Sequence, residues 1–473
     1  MDFTTAPRLL TARGWGLALS AVVALLAAQV MGRRDVLVLA VFLLALPLLA
    51  ALSLRLVRPA LDVERTFTPA TAEAGAPVIV TLSLHSSRPF RQSADMREGL
   101  PLRFGQSPVF RFPARVPAPD GGSMYEYQLL STRRGLFPIG PVSAEFQDMF
   151  GLARVLRTVG GSDPLVVAPA PLALPRLALG GPRGKDGALT GPQRGSPSED
   201  DVSTREYRPG DPMRRVHWAA TARHGELMVR QEEPVSSPGA TLLLDTREGS
   251  HANGAGSSLW LDGPGDNGLA TSESFERAVS AAVSVAAYLV ESGYALHLLD
   301  AHARPALERS ASAPDRQQRD FDGMEGLKDL AEGLAALELD PKSAVAGSGV
   351  PDGSGAFGDA LLTSLVQRRR GPLIAVLGRL SVAEARRLAP AADQASRAYA
   401  IMAVDRPQDA AGALAILRAG GWEAVAAAPK TDLARSWAAL DDSGADFPAP
   451  DPLNPPAAPY AVPGRNPSRE PRP

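Results

Sequence analysis

Two uncharged, apolar runs near the N-terminus constrain this chain more than any other feature. Gly14 to Met31 is eighteen residues long, and Val36 to Leu54 is nineteen. At about 1.5 Å of rise per residue, a helix of either length just crosses the ~30 Å hydrocarbon core of a bilayer. Lipid offers no hydrogen bonds to a backbone, so runs of this kind must be helical. Only Gly32-Arg33-Arg34-Asp35 separates them. They therefore predict a transmembrane helical hairpin over 14–58, preceded by a short leader at 1–13. A signal peptide is disfavoured, because no small-residue cleavage site precedes the charged turn and a second span follows at once. Trp15 stands at the edge of the first span, where an interfacial aromatic belongs. Pro47 lies inside the second, as membrane helices tolerate. Arg8 and Arg13 flank the first span, Arg55, Arg58 and Arg65 follow the second, and Asp35 offsets the turn's Arg33 and Arg34. The positive-inside rule then puts both termini in the cytoplasm, in a two-pass protein of the plasma membrane.

The rest of the 473 residues leaves room for two further domains. From 61 to 171 the pattern alternates with period two, in Val78 to Leu84, Tyr125 to Leu129 and Val142 to Phe146. Gly and Pro punctuate these runs, which predicts short antiparallel strands in a β-sandwich. Arg133-Arg134-Gly135-Leu136-Phe137 reads as a hairpin tip. The stretch 172–203, rich in Gly, Pro and Ser from Gly180 onward, reads as a flexible linker. Gly184-Lys185 is no phosphate loop, since Asp186 stands at the Ser/Thr position.

Beyond it, 204–440 alternates strand and helix. Thr241 to Asp245, Ala295 to Leu299, Leu373 to Leu377, Tyr399 to Val404 and Trp422 to Ala427 are apolar strand candidates. Phe275, Ala278, Val279, Ala282, Val283, Ala286 and Val290 mark one helix face, with Ser272 or Ser274 placed to cap it. Strands buried on both faces and separated by helices predict a Rossmann-type parallel sheet. Arg247 to Thr271 reads as a flexible insert. The Pro-dense stretch 441–473 carries no periodic apolar face and reads as disordered. The chain has no cysteine, its six histidines lack metal-ligand spacing, and its formal net charge is −2. No disulfide, no metal, no cofactor and no nucleic-acid partner are expected.

Between these halves lies the densest motif. Arg205-Glu206-Tyr207-Arg208-Pro209-Gly210-Asp211 ends in a Pro-Gly pair suited to a type II turn. Arg214-Arg215-Val216-His217-Trp218 follows, then Arg223, then Leu227-Met228-Val229-Arg230-Gln231-Glu232. Val216 and Trp218 alternate with Arg215 and His217, which predicts a strand with one buried face. The spacing of Arg205, Tyr207, Gly210, Asp211, Arg215, Val216, Trp218, Arg223, Leu227, Val229, Arg230 and Glu232 resembles the signature of the domain of unknown function 58 family. Asp148-Met149-Phe150-Gly151-Leu152 is similar to an Asp-Pro-Phe-Gly-Leu element of the same family, with Met149 in place of Pro. The signature has two readings. In the structural one, Asp211 caps its turn and pairs with Arg205 or Arg215, while Trp218 packs between sheet and helix. In the other, Arg205, Arg208, Arg214 and Arg215 form a docking surface for an anionic ligand or a partner. The structural reading is preferred, because Gly-Asp turns and buried Trp anchors are common fold devices.

The α/β half resembles a von Willebrand factor type A domain. In metal-binding members of that family an Asp-x-Ser-x-Ser motif after the first strand holds a divalent cation through oxygen ligands. Here Asp245 keeps the carboxylate, but Arg247 and Gly249 replace the two serines. The resemblance therefore implies a degenerate site in which Asp245 caps a loop or pairs with Arg247. The expected function is a bacterial, membrane-anchored, non-enzymatic interaction or scaffold protein of unspecified process. Resemblance to the domain of unknown function 58 family implies association with an AAA ATPase of the MoxR class and with a transglutaminase-like membrane protein. The alternative is a hydrolase or other enzyme built on an acid/base pair of Asp211 and His217, for which no nucleophile motif is present.

Overall fold

A computed structural model describes residues 9–56, 61–86, 94–114, 122–177, 204–208, 213, 216–230, 238–251, 269–341, 355–368, 370–428 and 432–442. The chain opens with two long helices, α1 (Ala12–Met31) and α2 (Arg34–Leu56). Both are long and apolar enough to cross a membrane. The buried positions are Gly14, Ala21 and Ala28 on α1, and Ala40, Pro47, Ala50 and Leu54 on α2; Gly14 meets Leu152, and Ala50 and Leu54 join the strand-rich core. Seven-residue spacing places Ala21 and Ala28 on one side of α1, where short side chains let two helices approach closely. Large side chains such as Val23, Leu26, Phe42 and Leu49 point outward and are exposed.

A strand-rich region follows: β1 (Leu61–Thr68), β2 (Thr71–Glu73), β3 (Pro77–Ser86), β4 (Ala94–Arg97), β5 (Val109–Phe112), β6 (Ser123–Leu130), β7 (Gly135–Ile139), β8 (Val142–Gln147), β9 (Arg154–Val159) and β10 (Asp163–Ala168). They form three small sheets, ordered β1-β3-β6, β2-β10-β7 and β5-β4-β8-β9, antiparallel except for the β2–β10 pair. Val78, Val80, Leu82 and Leu84 share one face of β3, as period two requires, and that face feeds two cores in succession along the strand. Leu82 and Leu84 join Met96, Val142, Ala144 and Phe146 in one cluster, while Val78 and Val80 join Phe137, Ile139, Leu165 and Val167 in another. The buried Arg65 of β1 ties the sheets together, pairing with Glu98 at 3.1 Å and with Asp163 at 2.8 Å. The Arg133–Phe137 segment is not a hairpin tip. β6 pairs with β3 and β7 pairs with β10, so this segment carries the chain from one sheet to another.

The expected linker begins later than its composition suggests. Leu177 is buried, and its N–H donates to the Tyr288 hydroxyl at 2.8 Å. Trp437 Nε1 donates to the Pro175 carbonyl at 2.9 Å. Apolar anchors at Leu174 and Leu177 hold 172–177 to the following domain, and the remaining linker positions, 178–203, lie outside the described residues.

The signature region contributes a two-stranded ribbon, β11 (Thr204–Glu206) and β12 (Met228–Arg230), with the short helix α3 (Trp218–His224) between them. Then come β13 (Gly239–Leu244), α4 (Glu248–His251), α5 (Glu273–Glu291), β14 (Ala295–Asp300), β15 (Asp320–Phe321), α6 (Gly323–Ala335), α7 (Asp359–Val366), β16 (Leu373–Leu377), α8 (Val382–Leu388), β17 (Ala398–Ala403), α9 (Ala411–Ala419), β18 (Trp422–Ala427) and α10 (Leu433–Asp442). The sheet order is β15-β14-β13-β16-β17-β18, parallel throughout except for the edge strand β15. Two apolar layers cover it. α5, α6 and α10 pack on one face, with Phe275, Val279, Leu334 and Trp437. Leu361, Leu388, Leu417 and Trp422 pack on the other. Ser272 is the cap of α5, accepting from the Phe275 N–H. The segment expected to be a flexible insert is ordered at both ends, through α4 and through Thr271; its middle, 252–268, lies outside the described residues, as does 443–473 of the expected tail.

Candidate functional site

The numbering of the parallel strands changes direction beside β13, which has β14 on one side and β16 on the other. In open α/β sheets of this winding, ligands sit in the crevice beyond the carboxyl ends of the strands at such a switch point. Asp245 is the first residue past β13 and is wholly buried; its N–H donates to Val376 of β16 at 2.9 Å. Its carboxylate is engaged by Arg247 in a fork: Nε to Oδ1 at 2.9 Å and Nη2 to Oδ2 at 2.9 Å. The Arg247 backbone N–H adds a third bond at 3.2 Å. Nη1 of the same guanidinium pairs with Glu384 of α8, and the plane lies 4.9 Å from the Phe357 ring.

The electrostatics follow from that geometry. Burial alone would raise the Asp245 pKa, but the charge and hydrogen bonds of Arg247 reverse it and leave the group below its ordinary range. Glu384 is treated likewise: burial opposes its charge, the Ser381 backbone and hydroxyl bonds favour it, and Arg247 adds to them, so its pKa is lowered. One guanidinium thus serves two carboxylates at the mouth of the sheet, forked on Asp245 and singly bonded to Glu384. The α4 turn closes the crevice from above. The Ser250 carbonyl accepts from Arg379 N at 2.8 Å, and a Cβ placed on Gly378 would come 2.5 Å from that same oxygen. His251, also buried, donates through Nε2 to the Asp245 carbonyl at 2.8 Å, because a carbonyl can only accept. Its Nδ1 has no protein partner among the described residues, and burial lowers its pKa.

The neighbouring strand repeats the device. Asp300 at the end of β14 accepts from the backbone of His302 and Arg304 at 2.8 and 2.7 Å, and from Arg304 Nε at 2.9 Å. Arg304 also reaches Asp340 at 3.1 Å. Among the described residues no cluster of three or more His, Asp or Glu is arranged to hold a metal ion.

The described signature residues lie on the ribbon and on α3. Arg205 and Arg230 lie in β11 and β12, opposite Val229 and Thr204 respectively. Tyr207 donates from its backbone to Leu227 at 2.8 Å and is half-buried; Arg223 is exposed on α3. Gly210, Asp211, Arg215 and Glu232 lie outside the described residues. Two expectations need correction. Val216 makes an isolated bridge to Val229, and Trp218 begins a helix rather than continuing a strand. The reason is capping: His217 Nδ1 accepts from the Ala220 N–H at 3.0 Å, which starts α3 at once. Trp218, expected as a buried anchor, is 66% exposed, with Met213 and Leu227 also at the surface. Val216, Met228 and Val229 are the buried residues here. His217 uses Nδ1 for the helix, and Asp211, its expected acid/base partner, lies outside the described residues.

One residue with a demanding environment was missed in the sequence. Arg134, on the crossing between β6 and β7, inserts into the α/β domain and is 4% exposed. Nε and Nη2 donate to Glu276 of α5 at 3.0 and 2.8 Å. Nη1 donates to the carbonyls of Leu334, Ala335 and Leu337 at 2.7, 3.2 and 2.8 Å, where α6 ends. The C-terminal end of a helix carries partial negative charge, so a cation fits there. Only the Arg-Arg-Gly run in a region of small polar residues hinted at it.

A family model described as Protein of unknown function DUF58 matches residues 203–258. The match covers the ribbon, β13, Asp245, Arg247 and α4, and it stops short of the rest of the sheet. No curated protein matches the chain.

Proposed function

We propose that this chain is a two-pass, membrane-anchored interaction protein without catalytic activity. Its C-terminal region is a von Willebrand type A-like domain in which a guanidinium stands where metal-binding members hold a cation. The observation that carries this reading is the fork of Arg247 on Asp245 at the switch point, with Glu384 as the second anion. A sheet ordered 3-2-1-4-5-6 in chain order, with its third strand antiparallel at the edge, supports the fold assignment. The DUF58 match over 203–258 spans the ribbon, Asp245 and Arg247, which supports reading them together. Both termini lie in the cytoplasm, and the hairpin sits in the plasma membrane.

The docking surface is the signature ribbon. The signature region exposes Trp218, Met213 and Leu227, and also Arg208 and Arg223. Exposed Trp with neighbouring Arg is the composition of protein-binding hot spots. The partner is an AAA ATPase of the MoxR class, with a transglutaminase-like membrane protein as a further member of the assembly. The test is co-elution of the detergent-solubilised full chain with the purified ATPase of the same genome. Trp218→Asp should weaken binding by at least about tenfold with an unchanged circular dichroism spectrum. Equal binding by the variant and the parent chain would remove the ribbon as the docking surface.

A further inference from the structure

The end of the helical hairpin nearest the strand-rich region is held unusually firmly. Leu9 and Leu10 run along β9: Arg154 N donates to the Leu9 carbonyl at 2.9 Å, and Thr11 N donates to Leu152 at 3.0 Å. The Thr11 hydroxyl donates to the Gly151 carbonyl at 2.6 Å and accepts from Gly14 N. On the other helix, Arg157 donates to the Leu54 carbonyl at 2.6 Å, and Ala50 and Leu54 are part of the strand-rich core. Asp148 fixes the clamp from below, accepting from Phe150 N and Ala153 N at 2.9 and 2.6 Å.

Between the clamped ends lies an open groove of about 820 Å³. Leu9, Leu10, Leu48 and Leu52 line it, Trp15 flanks it, and Arg55 is its one charged lining residue among the described residues. Arg55 and Trp15 are both exposed, and no carboxylate of the described residues pairs with Arg55. At the far end of the hairpin, by contrast, Arg33 is compensated by Asp35 at 3.1 Å. An apolar slot with a cation at its rim and an indole beside it, at the end of two bilayer-length helices, has the chemistry of an amphiphile with an anionic head. We propose that this groove is a binding site for one anionic phospholipid, its acyl chain against Leu48 and Leu52 and its phosphate on Arg55. A basic residue between membrane helices at the cytoplasmic side recognises such headgroups. Because the walls are fixed by hydrogen bonds to the strand-rich region, the site is preformed rather than moulded by the lipid. The bound lipid then anchors the clamp, and with it the cytoplasmic domains, to the inner leaflet.

The proposal rests on the membrane reading, and the experiment separates the two. The full chain would be incubated with liposomes of phosphatidylcholine alone or with phosphatidylglycerol, floated, extracted in mild detergent and weighed intact by native mass spectrometry. Failure to float with either liposome would overturn the membrane reading itself. Flotation together with retention of one phosphatidylglycerol per chain, in preference to phosphatidylcholine, is the expected result. Arg55→Gln should cut that preference by about fivefold, the worth of one cation near an anionic surface. Leu52→Trp, which fills the slot from an exposed position, should abolish retention of both lipids without altering the circular dichroism spectrum. Flotation with equal retention of the two lipids, or an Arg55→Gln chain that keeps the full preference, would overturn the site.

Discussion

At the scale of single residues, Arg247 does what a bound cation would do elsewhere. Its fork cancels the charge of a fully buried carboxylate, which is tolerable only when paired. Arg247→Ser removes that partner and restores a hydroxyl two residues after Asp245. The expected result is a melting temperature several degrees below the parent chain in chelator, by the ~3 kcal/mol typical of breaking a buried pair, with partial recovery on adding Mg²⁺. The parent chain should show no such Mg²⁺ dependence; a rise of its melting temperature with Mg²⁺ would contradict the role given to Arg247. Two buried histidines set the pH response. Burial lowers the pKa of His251 and also that of His297, whose Nδ1–H donates to Asp320 at 2.8 Å. Burial disfavours the charged form of both in the folded state, while in the unfolded chain they titrate near 6.5. The unfolded state therefore binds more protons below that pH. Stability is full above about 6.5 and declines as pH falls from there towards the lowered folded values, by up to ~1.4 kcal/mol per pH unit for each histidine. The lowered Asp245 keeps its contribution through this window and loses it only in stronger acid. Urea denaturation between pH 7.5 and 5 should show this slope, and His251→Gln should reduce it.

At the scale of elements, hydrophobic period located helices and strands, and local polar geometry fixed their ends. α1 and α2 extend the apolar runs by a turn or less, because Thr11 caps the first helix and Gly32 ends it in a left-handed conformation at φ 68°. The α3 helix shows the opposite case. Val216-His217-Trp218 alternates like a strand, yet three residues are too few for period two to outweigh a helix cap supplied by His217. Where an element touches another closely, a glycine records it. Gly14 of α1 sits against Leu152, and a Cβ there would lie 2.1 Å from its carbonyl oxygen. Gly14→Ala should unseat the clamp between hairpin and strands at a cost of about 1–3 kcal/mol. Limited proteolysis should then cut the 148–154 turn faster than in the parent chain, and unchanged protection would refute the contact's importance.

At the scale of the whole molecule, a buried cation is among the contacts that join the strand-rich region to the α/β domain, beside the Thr71 bond to Glu332 and the anchors at 172–177. Arg134 satisfies Glu276 and three carbonyls at the end of α6, five acceptor contacts from a single side chain. Lysine cannot reproduce the fork. Arg134→Ala should lower stability by about 3 kcal/mol and separate one calorimetric transition into two, with Arg134→Lys little better. A single unshifted transition in Arg134→Ala would show that the two regions are coupled by other contacts. The membrane hairpin is fastened to the strand-rich region on its other side, so both junctions of the chain run through that middle region.

What the sequence determined by itself are the features carried by short-range pattern. The two apolar helices, the alternating strands, the strand–helix succession after 239 and the carboxylate ending β13 were all legible. So was the substitution at Arg247, since a motif fixes neighbours in sequence. The partition of the expected sandwich strands into three small sheets, the inward path of Arg134 and the exposure of Trp218 were decided only by tertiary structure. Each depends on residues far apart in the chain: Arg134 meets α5 and α6 more than 140 residues away. Period and propensity report which face of an element is apolar, but not which distant surface will cover it, and that choice is made when the whole chain packs.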